Sequence, residues 1–383
     1  MRLTKTICEV DKCVGCLACQ NVCPTDAITL VDSRKQLNCY IDSDKCIDCH
    51  KCYNHCQQIN TEFQKNRPLD WYQGWFDDLE HRSSSASGGI AFGIAKSFIE
   101  NGNYVCTCVF DKGEFCYSII DNVVSLRKAQ GSKYVKSTPG TVYTEVLQLL
   151  RLKFKVLFIG LPCHVAALLL LCSETEKKYL YTIDLICHGS PSALLLEDYI
   201  SQYGYSLKEI TDIRFRIKKG AVPNQGSIGS PKAKDQFTYS FLNGIIYTEN
   251  CYSCAYASLY RCTDLTIGDS WGTTLNEEEL SKGLSLVLCQ TAKGKYLLEN
   301  SNLRLFDVNI DSAITNNEQL RHPTNRPDNR DTFFKLLDAG HSFNYSFFFA
   351  NPKAAVKLSL KAFLLKLNLV NRDPEIFHLY IYK

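Results

Sequence analysis

The chain has 383 residues, 45% of them hydrophobic, which is enough for roughly two to three domains with a sizeable core. The formal net charge of +3 is weak support for a nucleic-acid partner, since it counts all 20 cysteines as neutral. The apolar stretch 156–172 is interrupted by Gly160, Pro162 and His164, which excludes a membrane-spanning helix there.

Two cysteine runs occupy the first part of the chain. The run CVGCLACQNVC spans 13–23, and CIDCHKCYNHC spans 46–56 with the same intervals, 33 residues later. An Asp-Lys pair precedes each run, so the unit is duplicated. Ten of the 20 cysteines lie in the first 56 residues, and the opening MRLTKTICEV has no apolar signal segment. We therefore expect a reducing, cytoplasmic location rather than a disulfide framework.

The spacing of these runs also bears on the metal. Zinc is usually held by two separated cysteine pairs, whereas three thiolates on one tight loop plus a remote fourth suit a cubane [4Fe-4S] cluster. Iron–sulfur clusters are therefore favoured, and a zinc-binding interaction module is the alternative.

The two runs resemble those of two-cluster bacterial ferredoxins, in which the fourth cysteine of each run serves the other cluster. The resemblance implies two sets of four ligands. The first set is Cys13, Cys16, Cys19 and Cys56, and the second is Cys46, Cys49, Cys52 and Cys23. Gln57 stands where the pattern has proline, which removes no ligand. Cys8 and Cys39 lie outside both runs and are expected to be small buried residues.

Residues 1–60 are predicted to form this ferredoxin module, and the polar residues 61–80 a linker. Each cluster contributes about −2, so two clusters bring the net charge from +3 to about −1. We therefore expect no nucleic-acid partner.

The second module begins with a helical pattern over 90–100 that ends at Asn101-Gly102. A β-hairpin is predicted over 104–120. Strand 155–160, helix 164–172 and strand 179–187 form a βαβ unit, which predicts a partly parallel sheet.

The remainder of the chain carries weaker signals. Further strands are predicted at 209–219 and 236–248, the latter turning at Asn243-Gly244, and 221–235 is a polar loop. Near the end, 353–370 places lysines among leucines at near-helical spacing. This amphipathic helix either covers the core or makes peripheral contact with an anionic membrane surface.

Four stretches of the second module are similar to the coenzyme F420 hydrogenase/dehydrogenase beta-subunit family. They are SASGGI (85–90), GSKYVKS (131–137), GLPCHVAAL (160–168) with ICHGSPS (186–192), and CYSC (251–254) with DLTIGDSWG (264–272). Leu161 and His164 stand where familiar members have Thr and Gln, which bears on the substrate and not on the fold.

The resemblance implies a flavin domain over 81–275, with FAD beside iron–sulfur clusters, followed by a C-terminal extension over 276–383. The predicted fold class is therefore α+β/α/β, with a small ferredoxin-like module fused to a larger, mixed-sheet α/β flavin-binding domain. The flavin diphosphate is expected at Ser87, Gly88 and Gly89, where a helix start offers backbone N–H groups and a favourable dipole. Capping of that helix by Ser87 is the alternative.

A second flavin contact is implied at GSKY, which comprises Gly131, Ser132, Lys133 and Tyr134. Lys133 would neutralise the diphosphate or a reduced, anionic flavin ring, and its alternative is a solvated lysine. Tyr134 would stack on a ring or fill the core.

Three residues are candidate catalytic groups: Lys133, His164 and His188. Each histidine follows a cysteine, and an imidazole that titrates near neutral pH is suited to donate a proton to a substrate reduced at the flavin. Hydrogen-bonded structural histidines are the alternative.

A third [4Fe-4S] cluster is expected beside the flavin. Cys163 follows one predicted strand and Cys187 ends the next, so a right-handed βαβ unit would bring both to the same edge of the sheet. Cys251 and Cys254 form a Cys-x-x-Cys pair, and family members without a ferredoxin part still carry a cluster in this core region. A third cluster lowers the net charge to about −3. The alternative ligands are Cys172 and Cys262.

These features predict an iron–sulfur flavoprotein oxidoreductase. Reduced ferredoxin or another redox protein would supply electrons, which pass through the clusters and FAD to a two-electron acceptor. The acceptor would be a small-molecule substrate, with bacterial surface-polysaccharide synthesis favoured and coenzyme F420 as a further cofactor. The alternative is an electron-transfer subunit of a larger redox complex of the F420-dependent hydrogenase type, with no substrate chemistry of its own.

Overall fold

The computed structural model describes residues 3–60, 65–218, 235–367, 369 and 376–382. The strands are β1 (Leu3–Thr6), β2 (Ile28–Asp32), β3 (Leu37–Asp42), β4 (Asp70–Phe76), β5 (Tyr104–Asp111), β6 (Glu114–Ile120), β7 (Val156–Gly160), β8 (Leu180–Leu185), β9 (Asp212–Ile217), β10 (Leu265–Asp269), β11 (Ser285–Cys289), β12 (Leu303–Phe306) and β13 (Ile376–Tyr382).

The helices follow in the same chain order. They are α1 (Ala18–Asn21), α2 (Lys51–Asn54), α3 (Leu79–Ser84), α4 (Ile90–Glu100), α5 (Val123–Leu126), α6 (Val142–Arg151), α7 (Pro162–Leu171), α8 (Glu174–Lys177), α9 (Ala193–Ser201), α10 (Gln236–Leu242), α11 (Glu277–Ser281), α12 (Ala292–Glu299), α13 (Ile310–Asn316), α14 (Asn329–Asp338), α15 (Phe343–Ala350) and α16 (Pro352–Lys366).

The largest sheet has eight strands in the order β12-β4-β11-β10-β8-β7-β5-β6. Its central strands β5, β7, β8 and β10 run parallel to one another. The outer strands pair antiparallel: β6 with β5 on one side, and β11, β4 and β12 on the other. This mixed sheet confirms the predicted α/β fold of the larger module.

The βαβ unit around α7 is confirmed. β7 is a run of five buried residues, as expected for a central strand covered on both faces. Pro162 occupies the first turn of α7, where its missing N–H costs no helical hydrogen bond. After α7 and the short helix α8 the chain enters β8, which pairs parallel with β7. The carboxyl ends of these two strands therefore lie side by side, and Cys163 and Cys187 follow them.

Other early predictions are also confirmed. α4 spans the predicted helix, and β5 and β6 form the predicted hairpin. Lys112 and Gly113 adopt left-handed backbone conformations at the hairpin turn.

The N-terminal module has a three-stranded antiparallel sheet of its own, in the order β1-β3-β2. Ala18 of α1 joins an apolar cluster that includes residues of α6, β7 and α7. Polar contacts add to this packing, since Arg34 pairs with Asp198 and the Asn21 amide donates to the Gly140 carbonyl at 2.8 Å. The ferredoxin-like module is therefore docked on the larger one.

The strands of the large sheet extend beyond the predicted domain limits of 81 and 275. β4 lies inside the interval 61–80, predicted to be a linker, yet it is an inner strand between β11 and β12. β11 and β12 themselves lie after 275. The large sheet thus includes one strand from before residue 81 and two from after residue 275. The composition of these segments alone does not indicate that they belong to the sheet.

The strand predicted over 236–248 is wrong, because the structure has α10 there. Asp235 caps this helix by accepting a hydrogen bond from the Thr238 backbone N–H at 2.7 Å. Phe237 and Phe241, four residues apart, are both buried. The capping residue and the four-residue spacing therefore favour the helix.

The predicted strand 209–219 is confirmed as β9, which pairs antiparallel with β13. The predicted loop 221–235 lies outside the described residues except for Asp235.

The amphipathic C-terminal helix is confirmed as α16, but it covers the core with only part of its surface. Ala355 and Leu365 are buried, whereas Val356, Leu360 and Phe363 are each 55–57% exposed. Of the helices in the described ranges, none has both the length and the apolar character that crossing a membrane requires.

Candidate iron–sulfur sites

The first cysteine site is a small pocket in the N-terminal module. It is lined by the four cysteines of the first predicted ligand set: Cys13, Cys16, Cys19 and Cys56. Gly15 and Leu17 adopt left-handed conformations, which curl the loop so that successive thiols converge. A Cβ on Gly15 would lie 2.8 Å from the Leu37 Cβ, so the close approach of Leu37 requires glycine there.

Cys8 and Cys39 line the same pocket. Cys39 is buried as expected, at 2% exposure, whereas Cys8 is only partly buried. Neither run contains them, so spacing alone gives no signal that they belong to this site.

The second site reproduces the backbone of the first. Asp48 and His50 adopt left-handed conformations at the positions equivalent to Gly15 and Leu17, 33 residues later. Cys23 and Cys52 pack against a shared apolar cluster, and the Cys23 sulfur accepts a hydrogen bond from the Ala27 N–H at 3.3 Å. The other two cysteines of this set, Cys46 and Cys49, lie towards solvent, and Cys49 is exposed. The duplication in sequence is therefore also a duplication in structure.

A third group of cysteines surrounds Lys136 in the larger module. Lys136 is 2% exposed, and its ammonium donates to Thr248 Oγ1 at 3.1 Å, to Val14 O at 3.3 Å and to Asn250 Oδ1 at 3.4 Å. Thr248 Oγ1 lies 3.3 Å from Cys251 Sγ. The thiols close enough to act on the ammonium are those of Cys251, Cys163, Cys187 and Cys254.

The three hydrogen-bond acceptors of Lys136 are all neutral, although a buried ammonium is costly without negative charge nearby. Burial alone would lower the pKa of Lys136, but the four cysteines, which are negative when deprotonated, raise that pKa above its ordinary value, Cys251 foremost. A strongly anionic group held by these cysteines would balance the lysine.

The first site and the core site are in contact through one apolar cluster. Val14, from the loop between Cys13 and Cys16, packs in one apolar cluster with Cys163 and Tyr256. Cys16 and Cys254 pack against the same cluster. Residues of the N-terminal module, of α7 and of the loop that contains Tyr256 thus pack together between the two sites.

The two alternative ligands differ in position. Cys172 packs with Val146 and Leu168 in a separate apolar cluster. Cys262 packs beside Cys254 against the cluster that contains Cys163. Only Cys262 therefore lies next to the core site.

The described residues contain no group of three or more His, Cys, Asp or Glu side chains placed to hold a single metal ion. A cubane cluster has a different requirement, since each of its four thiolates binds a different iron.

The predicted flavin residues at the start of α4 make close internal contacts. The Gly88 N–H donates to Ser285 Oγ at 2.9 Å, and the Ser87 hydroxyl donates to Leu284 O at 2.7 Å. A Cβ on Gly88 would lie 2.4 Å from Gly74 O, so glycine is required for packing against β4 and β11. Gly89 has a φ of 80° and is the N-cap of α4. The Gly88 N–H and the Ser87 hydroxyl are therefore both bonded within the protein.

The GSKY stretch is likewise engaged. The Lys133 ammonium donates to three backbone carbonyls, that of Gln130 at 2.9 Å being the nearest, and burial lowers the pKa of Lys133 to about 8. Gly131 has a φ of 79°, a Cβ added to it would lie 3.0 Å from Arg214 Nη1, and Ser132 is exposed. Tyr134 stacks on a core phenylalanine with 4.4 Å between ring centroids.

The two candidate catalytic histidines lie in different environments. His164 is fully buried, and its Nδ1 is 2.9 Å from the Tyr117 hydroxyl. Burial, with the charge of Lys136, lowers the pKa of His164 to about 3, so it is neutral near pH 7. Its Nε2 has no hydrogen-bond partner among the described residues. His188 is exposed, and its carbonyl accepts a hydrogen bond from Thr324 Oγ1 at 2.7 Å.

Sequence reasoning missed Lys136, Gln57 and Tyr256. Lys136 lies in the GSKYVKS stretch, in which the pattern pointed to Lys133 instead. The only indication in the sequence that Gln57 has a special role is that it stands where the ferredoxin pattern has proline.

The duplicated cysteine runs and the mixed α/β fold define an iron–sulfur protein with an N-terminal ferredoxin-like module. Residues 12–58 match the family described as 4Fe-4S dicluster domain, and residues 154–305 match the family described as the C terminus of the coenzyme F420 hydrogenase/dehydrogenase beta subunit. The chain is therefore similar to the F420 hydrogenase/dehydrogenase beta-subunit family over residues 154–305, and it has a dicluster domain at its N-terminal side. It is thus an electron-transfer iron–sulfur protein related to that subunit.

Among solved structures, the chain is similar to one chain of the xenon-derivatised F420-reducing [NiFe] hydrogenase complex from Methanosarcina barkeri. The identity is 17% and the TM-score 0.46, over 66% of this chain and 91% of that chain. No curated protein matches the sequence.

Proposed function

We propose that this protein is the electron-transfer subunit of a larger redox complex and carries three [4Fe-4S] clusters in series. The two ferredoxin clusters use the two ligand sets of the cysteine runs. The core cluster uses Cys163, Cys187, Cys251 and Cys254. Electrons enter at the second ferredoxin site, pass the first and reach the core site.

The observation that carries the proposal is the position of Lys136. It is a buried cation with neutral hydrogen-bond acceptors, surrounded by the four core cysteines. A cubane with four thiolates carries about −2, so it would supply the negative charge that this lysine lacks. Val14 O accepts a hydrogen bond from the same ammonium, which links the core site to the loop that bears Cys13 and Cys16.

The solvent exposure of the second site supports the proposed order of electron transfer, from the second site through the first to the core site. The second site lies at the surface, where Cys49 is exposed and the neighbouring Ile47 and Tyr53 are 62% and 50% exposed. Such apolar residues suit a transient contact with reduced ferredoxin or another redox protein. The first site lies between this surface and the core cysteines, since Cys16 packs beside Cys163.

No step of the proposal runs through a flavin. The N–H of Gly88 and the ammonium of Lys133 are already bonded within the protein. The family resemblance also predicts FAD, coenzyme F420, a small-molecule acceptor and a place in polysaccharide synthesis, and these stay predictions. A flavin assay of the anaerobically purified protein tests the prediction of FAD.

The core cluster is tested by Cys251→Ser combined with Cys254→Ser after anaerobic reconstitution. We expect the iron content to fall from about 12 to about 8 per chain, together with the loss of one electron paramagnetic resonance (EPR) signal. Cys172→Ser is the matched control, because this buried cysteine lies in another apolar cluster and should keep all the iron. Full iron in the double variant would show that these two cysteines are not ligands.

The subunit role is tested with the isolated chain. It should accept electrons from reduced ferredoxin and deliver them to a one-electron dye, yet show no turnover of a two-electron substrate without its partner. Turnover of a two-electron substrate by the isolated chain would show that the chain is an enzyme in its own right and would contradict the proposed role as an electron-transfer subunit.

A further inference from the structure

Gln57 follows Cys56 directly, at the position where the ferredoxin pattern has proline. Its side chain is buried, at 3% exposure, although a glutamine on a module surface is usually solvated. A proline would have neither a side-chain donor nor an acceptor. The substitution therefore equips the end of the second cysteine run with two polar atoms that face the larger module.

Both polar atoms of Gln57 are used. The Nε2 group donates to the Cys163 carbonyl at 2.7 Å, and Oε1 accepts a hydrogen bond from the Tyr256 hydroxyl at 2.7 Å. Both bonds are buried, so each is protected from competition with water. One residue thereby ties a first-site cysteine, Cys56, to the backbone of a core-site cysteine, Cys163.

We propose that Gln57 is the positioning residue that fixes the first cluster against the core cluster for electron transfer. This inference rests on the proposed function, since it requires a cluster at each site. In the step it supports, one electron leaves the reduced first cluster and enters the oxidised core cluster. The first is oxidised by one electron and the second reduced by one, with no proton moved and no bond broken.

The physical reason is the steep fall of electron-transfer rate with separation. Val14 packs against Cys163 and Tyr256 through apolar contacts, which are not directional and allow the two modules to shift. The two hydrogen bonds of the Gln57 amide are directional, so they fix both the orientation and the distance of one site relative to the other. Without the Gln57 amide, Cys163 O and the Tyr256 hydroxyl would each lose one buried hydrogen bond. The N-terminal module would then be held less firmly against the larger module.

The test is Gln57→Met, which keeps the length of the side chain and removes both hydrogen bonds. Gln73→Met is the matched control: Gln73 is also 3% exposed, donates to a backbone carbonyl, that of Asp307, at 3.0 Å, and accepts from a hydroxyl, that of Ser270, at 3.2 Å. Freeze-quench EPR after rapid reduction measures the transfer from the first to the core cluster. Spin–spin broadening in the fully reduced protein reports their separation.

We expect Gln57→Met to keep all its iron, to transfer electrons several-fold more slowly and to show weaker broadening, while Gln73→Met behaves as the wild type. An unchanged rate and unchanged broadening in an iron-replete Gln57→Met protein would overturn the inference alone. A wild-type protein with only the two ferredoxin clusters would overturn the proposed function instead.

Tyr256→Phe is the second variant, for the case that Gln57→Met loses iron. It removes one of the two hydrogen bonds and leaves the Gln57–Cys163 bond in place. We expect a smaller decrease in the rate with the iron retained, and a wild-type rate would count against the inference.

Discussion

Lys136→Met removes the buried positive charge of the core site and keeps the length of the side chain. The ammonium lies 3.1 Å from Thr248 Oγ1, which lies 3.3 Å from Cys251 Sγ. It is therefore within about 6.4 Å of that sulfur, where two unit charges interact by about 2.6 kcal/mol at an effective dielectric constant of about 20.

This energy translates into a reduction potential. Reduction adds one negative charge, which the lysine stabilises, and about 1.4 kcal/mol corresponds to about 59 mV for one electron. Because the added electron spreads over the cluster, beyond the nearest sulfur, we expect a shift of about 100 mV. The potential should fall in Lys136→Met, since the reduced form loses its counter-charge.

The assay is an EPR-monitored redox titration of the signal that Cys251→Ser with Cys254→Ser abolishes. Lys136→Arg keeps the charge and should retain a potential near that of the wild type. Lys128→Met is the control for net charge, because this exposed lysine pairs with Asp111 at the surface, where solvent screens it. An unchanged potential in an iron-replete Lys136→Met protein would refute the electrostatic role of Lys136.

Three further predictions concern other parts of the molecule. Gly88→Ala should destabilise the fold by roughly 1–3 kcal/mol in chemical denaturation, because its Cβ would meet Gly74 O at 2.4 Å, and an unchanged stability would contradict this packing role. Cys49→Ser should remove about four irons and slow reduction by ferredoxin, and rapid reduction of that variant would contradict entry at the second site. Wild-type protein should float with anionic liposomes and a triple serine variant of α16 should not, whereas equal recovery in the soluble fraction would rule out membrane contact. The three residues replaced are Val356, Leu360 and Phe363.

The cysteine chemistry was predictable because it is local. A run of thiols at fixed intervals determines its loop, and the left-handed residues Leu17 and His50 repeat with the same period as the sequence. The juxtaposition of Cys163 and Cys187 was also predictable, since parallel strands place their carboxyl ends at one edge.

The contacts that join the sites depend instead on distant residues. Nothing in the sequence near Lys136 indicates that Thr248 and Val14 accept its hydrogen bonds, 112 and 122 residues away along the chain. The glycines before α4 show that one sequence feature can have two structural explanations. A phosphate cradle and close packing against a strand both require glycine, and only the approach of Gly88 to Ser285 reveals the packing role.

The segment 236–248 shows how local patterns mislead. Its mixed aromatic and polar residues fit strand alternation, but Phe237 and Phe241 are also spaced for one face of a helix. Asp235 decides the outcome by capping α10, and Leu379 of β13 also donates its N–H to this carboxylate at 2.9 Å. A residue from the far end of the chain thus supports the helix start.

The central claim is that the core cysteines around Lys136 hold a third cluster. Iron and acid-labile sulfide counted on the wild-type chain after anaerobic reconstitution test it most directly. The account predicts about 12 of each per chain. About 8 of each, with the ferredoxin EPR signals complete, would contradict it.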